Sequence, residues 1–248
     1  MPEPLRLRWL GALALLVCLF PVAARADDRQ SIGHSLDGRP IVLFRDSAPN
    51  PALKVLVVGD IHGDEAAGMR ITRRLIAAAA PPRTELLVVP TINPDGLAAG
   101  TRGNARGVDL NRNFPFRWRP LGGGEYSGTG PLSEPESRAA HRLILREKPD
   151  VTIWFHQPFG LVDKPEGNPF AARRFADLIG LPLVRLRGRY PGSVSRWQNL
   201  AFPNSTAFVV ELPQRISSMA RRCTAAVRTL AAEFASPELS GGVAIPLP

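Results

Sequence analysis

The chain has 248 residues, of which 44% are hydrophobic and 21% charged, and its formal net charge is +9. This composition is typical of a globular protein and excludes a disordered chain or a fibrous repeat. The 31 Lys and Arg residues are scattered, and no helix-turn-helix, zinc-finger or RNA-binding motif occurs, so we expect no nucleic-acid partner.

The first 26 residues have the pattern of a secretory signal peptide. Arg6 and Arg8 precede an apolar run from Trp9 to Phe20, and the segment ends in the small-residue pattern of residues 24–26. The run is about a dozen residues long, whereas a membrane-spanning helix needs about 20. We therefore expect an exported protein, periplasmic or extracellular, with no stable membrane anchor. Residues 27–248 have the size of a single domain.

Short β-rich segments alternate with helical patterns along the rest of the chain. The predicted strands are Ile41 to Phe44, Val55 to Val58, Leu86 to Val89, Val151 to Phe155 and Phe208 to Val210. The predicted helices run from about Glu65 to Ala80, Glu134 to Arg146, Phe170 to Leu178 and Arg215 to Phe234. This order predicts an α/β fold. Because the strands are apolar at successive positions, we expect a mixed central sheet with helices on both faces.

Three local patterns refine this prediction. Cys223 lies on the apolar stripe of the last predicted helix and is expected in the core. Ser133 and Glu136 have the spacing of a capping box, which predicts a helix start between them. Residues 93–130 are rich in Gly, Asn, Arg and Pro with little periodicity, which predicts a long irregular segment of the kind that often carries function.

Candidate metal ligands follow two of the predicted strands. His62 and Glu65 come after the strand that ends at Val58, and His156 comes directly after the strand that ends at Phe155. Ligands in open α/β sheets bind at the carboxyl ends of strands, and catalytic zinc takes three protein ligands and one open position. His34 and His141 are expected to be plain surface residues.

Six sequence blocks occur in an order that resembles the zinc carboxypeptidase family. They are Asn93-Pro94-Asp95-Gly96, Thr101-Arg102-Gly103-Asn104, residues 107–114, Ser133-Glu134-Pro135-Glu136, His156 and Val209-Val210-Glu211. The resemblance runs from about Gly33 to Pro213 and implies a catalytic domain over residues 27–248 that binds one Zn²⁺ per chain. It implies that His62, Glu65 and His156 are the zinc ligands.

The resemblance also suggests which residues act on the substrate. Glu211 matches the family's general base, and it stands at the end of an apolar strand where a solvated charge would be unusual. Arg102 matches the arginine that stabilises the developing oxyanion, with Arg106 as a nearby competitor. Asn111 and Arg112 match the pair that holds the substrate's free carboxylate.

Asp109 resembles the carboxylate that orients a zinc-bound histidine, here His62, with an Asx-turn residue as the alternative. Tyr190 lies in the region of the family's mobile tyrosine, and Tyr126 is the only other tyrosine.

The segment Ser193 to Trp197 corresponds to the family's specificity loop. It contains no acidic residue, so a lysine- or arginine-selecting pocket is not expected. Arg196 could meet a second carboxylate, as diaminopimelate would present, or face solvent.

These features lead to one expected reaction and two alternatives. Within the family the chain is most similar to bacterial enzymes that cleave the γ-D-glutamyl–diaminopimelate bond of peptidoglycan stem peptides, so a murein tripeptide amidase is expected. A general metallocarboxypeptidase that trims carboxyl-terminal residues from peptides is the second hypothesis. A secreted wall-binding module without turnover is the non-enzyme hypothesis, and it predicts a missing ligand or base.

Overall fold

The computed structural model describes residues 28–188, 190–216 and 218–236. The predicted signal peptide, residues 1–26, and the tail after residue 237 lie outside this range. Eight strands form one sheet in the described part, in the order β1-β2-β4-β3-β5-β8-β6-β7. The strands are β1 (Asp28–His34), β2 (Pro40–Ser47), β3 (Leu53–Val58), β4 (Thr84–Val89), β5 (Val151–His156), β6 (Phe159–Asp163), β7 (Leu183–Val184) and β8 (Thr206–Pro213).

The sheet is mixed, as predicted. Its central strands β4, β3, β5 and β8 are parallel, whereas β2 and β6 pair antiparallel with β4 and β8. The helices are α1 (Met69–Ile76), α2 (Pro94–Ala99), α3 (Pro135–Glu147), α4 (Phe170–Ile179), α5 (Val194–Ala201) and α6 (Met219–Phe234).

Each face of the sheet is covered by its own apolar core. Val57, Ile153 and Val210 point to the face covered by α1, α4 and α6. Their strand neighbours Val58 and Trp154 point to the other face, which is covered by α3 and α5. Because side chains alternate along a strand, both faces of these central strands are apolar. The predicted fold class, with helices on both faces, is confirmed.

All five predicted strands and all four predicted helices are present, with shorter helix ends in two cases. The first helix keeps only Met69–Ile76 after a short 3₁₀ turn, and the last begins at Met219 rather than near residue 215. Cys223 is fully buried, as predicted. None of the helices in the described ranges is both long and apolar enough to cross a membrane.

The predicted capping box is wrong. The N-cap of α3 is Glu134, and Ser133 makes no capping bond. The Ser133 hydroxyl donates to the Glu134 carboxylate at 2.8 Å, while Glu136 accepts from the backbone N–H of Leu36 at 2.9 Å and from the side-chain amide of Asn104 at 3.1 Å. Tertiary contacts to distant loops therefore replace the local reciprocal cap.

Candidate active site

The carboxyl ends of three adjacent parallel strands bring four candidate residues to one edge of the sheet. His62 and Glu65 lie in the connection after β3, His156 ends β5, and Glu211 lies in β8 directly opposite His156. Side chains of all four line one cleft of about 550 Å³. Sequence positions up to 149 residues apart thus share one wall because parallel strands end together.

His62, Glu65 and His156 form a compact group that could hold a metal ion. His62 Nδ1 lies 3.0 Å from Glu65 Oε1, His156 Nδ1 lies 2.9 Å from Glu65 Oε2, and the two Nδ1 atoms are 3.2 Å apart. All candidate ligand atoms fall within 4.8 Å of one another. Two imidazoles and one carboxylate are a donor set that catalytic zinc uses, so these residues fit such an ion.

The charges around this group favour a cation. Burial opposes the charge of His62, but Asp109 and Glu65 outweigh it and raise the pKa of His62 to about 9. Burial alone would raise the pKa of Glu65, but hydrogen bonds from His156 and His62 outweigh burial and hold this pKa well below its usual range. Asp109 and Glu65 therefore favour positive charge on His62, whereas burial lowers the pKa of His156.

Asp109 fixes the orientation of His62 while it shapes its own loop. Its Oδ1 atom lies 3.0 Å from His62 Nε2 and also accepts from the backbone N–H of Asn111 at 2.9 Å. Its Oδ2 atom accepts from Arg102 Nε at 3.0 Å. One carboxylate therefore makes both the turn contact with Asn111 and the contact with His62. With Nε2 held in this way, His62 presents Nδ1 to Glu65 and His156.

Arg102 and Arg106 are the two sequence candidates for the oxyanion-stabilising arginine, and they lie in different places in the structure. Arg102 lines the cleft and donates from Nη1 to Glu65 Oε1 at 2.9 Å. Arg106 lies outside the cleft, is 57% exposed and pairs with Glu134 at 3.5 Å. Of these two arginines, Arg102 is the one that lines the cleft beside the histidines.

Asn111 and Arg112 lie on a short 3₁₀ turn that faces the cleft. The Asn111 side-chain oxygen accepts from the backbone N–H of Val194 at 3.0 Å, which leaves its amide nitrogen to face a ligand. Arg112 is buried and donates from Nη2 to Glu125 Oε1 at 2.6 Å. Glu125 is 56% exposed, so a substrate carboxylate could replace it on the guanidinium.

Tyr190 lies between two arginines of the cleft. Its ring centroid is 5.3 Å from the guanidinium carbon of Arg112 and 5.0 Å from that of Arg196. Arg196 also donates to Glu166 at 3.1 Å. Tyr126, the competing tyrosine, does not line the cleft. Of the two tyrosines, only Tyr190 is placed to contact a ligand there.

Glu211 is 7% exposed, and its Oε2 atom has no hydrogen-bond partner within the described ranges. Burial, reinforced by the nearby charge of Glu65, raises the pKa of Glu211 to about 8. A largely buried carboxyl that lines the cleft is suited to hold and return a proton.

Comparison with known proteins agrees with this geometry. A family model described as zinc carboxypeptidase matches residues 23–167, more than half of the chain. Murein peptide amidase A from Escherichia coli K12 is 33% identical over 183 residues, which cover 66% of this chain and 74% of that protein. The chain belongs to the zinc carboxypeptidase family. Murein peptide amidase A from Vibrio campbellii is 30% identical over 187 residues, 68% of this chain and 73% of that protein.

Solved structures extend the likeness over most of the fold. The murein-tripeptide amidase from Escherichia coli O157 superposes with a TM-score of 0.70 and 29% identity, over 85% of this chain and 94% of that chain. Carboxypeptidase A from Helicoverpa armigera has a TM-score of 0.72 at 18% identity, a likeness of fold alone, over 87% of this chain and 69% of that chain. As a zinc carboxypeptidase, the protein is a hydrolase.

Sequence reasoning missed two features of the cleft in this zinc carboxypeptidase. Residues 194–201 form helix α5 rather than a loop, and Asp163, at the end of β6, lines the cleft beside Arg196. The absence of acidic residues from residues 193–197 is therefore no guide to the charge of the pocket. His141 is not a plain surface residue either, because its ring packs 4.4 Å from that of Trp197. His34 is exposed, as expected.

Proposed function

We propose that this protein hydrolyses an amide bond next to a free carboxylate, and that its substrate is a peptidoglycan stem peptide cut at the γ-D-glutamyl–diaminopimelate bond. The observation that carries this proposal is one cleft that is lined by the His62–Glu65–His156 group, by the buried Glu211 and by the side chains of Asn111 and Arg112. The names of the relatives in Escherichia coli and Vibrio campbellii support the choice of substrate.

His62, Glu65 and His156 are proposed to hold one Zn²⁺ per chain. Their donor atoms converge, and Asp109 occupies the second nitrogen of His62, as is usual for a metal-bound histidine. When bound, zinc lowers the pKa of a coordinated water and polarises a carbonyl oxygen.

Glu211 acts as the general base in this proposal. Its carboxylate takes a proton from the attacking water and later gives it to the nitrogen of the leaving amine.

Three further residues position the substrate and stabilise its charge. Asn111 and Arg112 bind the free carboxylate, which displaces the exposed Glu125 from the guanidinium. Arg102 supplies a fixed positive charge where the carbonyl oxygen becomes negative. Its side chain is held by Glu65 and Asp109, so it needs no reorganisation at the moment of reaction.

A paired assay tests this function. The zinc-loaded protein is expected to release diaminopimelate from a stem tripeptide and to cleave a blocked dipeptide with an apolar carboxyl-terminal residue much more slowly. The reverse preference would favour a general metallocarboxypeptidase.

Glu211→Gln tests the assigned base with the same peptides. The variant is expected to keep zinc and ligand binding while losing hydrolysis. A variant that turned over at the parent rate would overturn the role of Glu211. A parent protein that bound both peptides without cleaving either would leave only the wall-binding hypothesis.

Export is proposed on the sequence pattern alone. Residues 1–26 are proposed to direct the catalytic domain, residues 27–248, to the periplasm or the medium. Mass spectrometry of the protein recovered outside the cytoplasm should give an amino terminus at Asp27. Recovery of the intact chain from the cytoplasm alone would contradict the proposal.

A further inference from the structure

One wall of the cleft separates it from a second, much smaller void. Asp163, Ser195, Arg196 and Val209 line both spaces, and we call these four residues the floor. Two of the four carry opposite charges. The floor is therefore a polar, charged surface rather than the apolar pocket that a carboxyl-terminal aliphatic residue would fit.

Asp163 is brought to the floor by strand pairing. β6 runs antiparallel to β8, with Leu161 opposite Glu211 and Val162 opposite Val210. Continuing that register places Asp163 level with Val209, on the same face of the sheet as Glu211. The carboxylate therefore sits one pleat further along the strands than the proposed general base.

The Asp163 carboxylate has no direct ion-pair partner among the described residues. Its Oδ1 atom accepts from the backbone N–H of Leu186 at 2.9 Å, and among the described residues no Lys, Arg or His lies within ion-pair distance of it. Burial raises the pKa of Asp163 and outweighs the opposing effects of the Leu186 N–H, Arg196 and Arg185, so these groups compensate its charge only in part. A cationic group of a ligand would supply the missing partner.

Arg196 is compensated by a different residue. It donates to Glu166 at 3.1 Å, and Glu166 is 50% exposed whereas Arg196 is 16% exposed. A ligand carboxylate could replace this half-exposed partner, as proposed for Glu125 on Arg112. The floor thus offers one cation with an exchangeable partner and one anion that no cation contacts directly.

We propose that Asp163 binds an ammonium group at the end of the substrate side chain while Arg196 binds a carboxylate on the same carbon. This inference rests on the proposed function, and it makes Asp163 a specificity-determining residue. A side chain that ends in both groups satisfies both charges. A lysine side chain would satisfy only Asp163, and an aliphatic one would cover that carboxylate without supplying a cation to contact it.

Direct binding tests this assignment independently of turnover. The probes are meso-diaminopimelate, L-2-aminopimelate, which lacks the distal amine, and L-lysine, which lacks the distal carboxylate. Calorimetry with the zinc-loaded protein should show the tightest binding for diaminopimelate. Asp163→Asn should weaken its binding about tenfold or more and change 2-aminopimelate binding less than about twofold.

Two controls accompany the Asp163→Asn measurement. Asparagine can still accept from Leu186, and unchanged 2-aminopimelate binding shows that the variant is folded. Glu166→Gln, which removes the other acidic group near Arg196, should retain the preference for diaminopimelate. A wild-type protein without that preference, an Asp163→Asn variant that keeps it, or a Glu166→Gln variant that loses it would overturn the proposal.

Hydrolysis of the stem tripeptide by the same preparations separates the two proposals. If the wild type discriminates in binding through Asp163 but does not turn over, the proposed reaction fails and the floor assignment stands. If the wild type cleaves the tripeptide and Asp163→Asn binds all three probes as the wild type does, the floor assignment fails and the reaction stands.

Discussion

Asp109 and His62 are joined by a buried contact of 3.0 Å between a carboxylate oxygen and Nε2, and this contact leaves His62 Nδ1 facing Glu65. The same carboxylate holds Arg102. One side chain of the irregular segment thus orients both a proposed metal ligand and the proposed oxyanion-stabilising residue.

Asp109→Asn should therefore weaken zinc binding about 10- to 100-fold, because the amide is a poorer acceptor and no longer fixes the tautomer of His62. Competition with a chromophoric chelator measures the affinity. Asp177→Asn, an exposed change on α4, is the matched control and should leave it unaltered. If the parent and Asp109→Asn bound zinc with equal affinity, Asp109 would not have the orienting role.

Arg112→Gln should lower kcat/KM for a peptide with a free carboxyl terminus roughly 10- to 100-fold, because a charge-assisted contact is lost. For a peptide whose carboxyl terminus is a carboxamide, the same substitution should lower kcat/KM much less. Arg106→Gln should behave as the parent toward both peptides, since Arg106 lies outside the cleft. A similar loss on both peptides would show that Arg112 does not recognise the carboxylate.

Glu125→Gln should lower KM for that peptide by up to about fivefold and leave kcat unchanged. Glu125 competes for Arg112 in the free protein, and a half-exposed ion pair is worth about 1 kcal/mol at most. Steady-state kinetics at low ionic strength gives both constants. A higher KM in the variant would mean that Glu125 assists binding instead of opposing it.

Glu147 lies at the edge of the sheet opposite the cleft, and its ionisation should make the free energy of unfolding depend on pH. Burial alone would raise its pKa, but Arg146, Arg45 and Lys54 outweigh it and lower the pKa to about 2. Its stabilising contribution is therefore complete above pH 5 and is lost as the pH falls toward 2. Because its partners are partly exposed, we expect about 1–2 kcal/mol.

Urea unfolding of the parent and Glu147→Gln at pH 6 and pH 3 measures this contribution. The variant should be less stable at pH 6, and the difference should shrink at pH 3. A difference that stays constant between the two pH values would exclude an electrostatic origin.

The central sheet was predictable because its strands are buried on both faces and appear as uninterrupted apolar runs. β1 and α5 were not. β1 is an edge strand whose first four residues are all exposed, so it lacks an apolar signal. α5 has two turns and follows Pro191 and Gly192, which are more typical of a loop.

The candidate site shows the same division. His62, Glu65 and His156 could be found because each follows an apolar strand, where α/β proteins bind ligands. Asp163 could not be found in this way, because its place beside Arg196 depends on the antiparallel pairing of β6 with β8. The local sequence does not indicate that pairing. Glu125 was hidden for a similar reason, since only the folded loop brings it to Arg112.

Arg45, Lys54, Glu85 and Glu147 cluster where β3 and β4 begin, whereas the cleft lies where β3 and its parallel neighbours end. The six residues of β3 separate the two edges by about 20 Å, roughly twice the distance over which physiological salt damps surface charges. Robustness to acid and choice of substrate can consequently evolve, or be engineered, as independent traits in this chain.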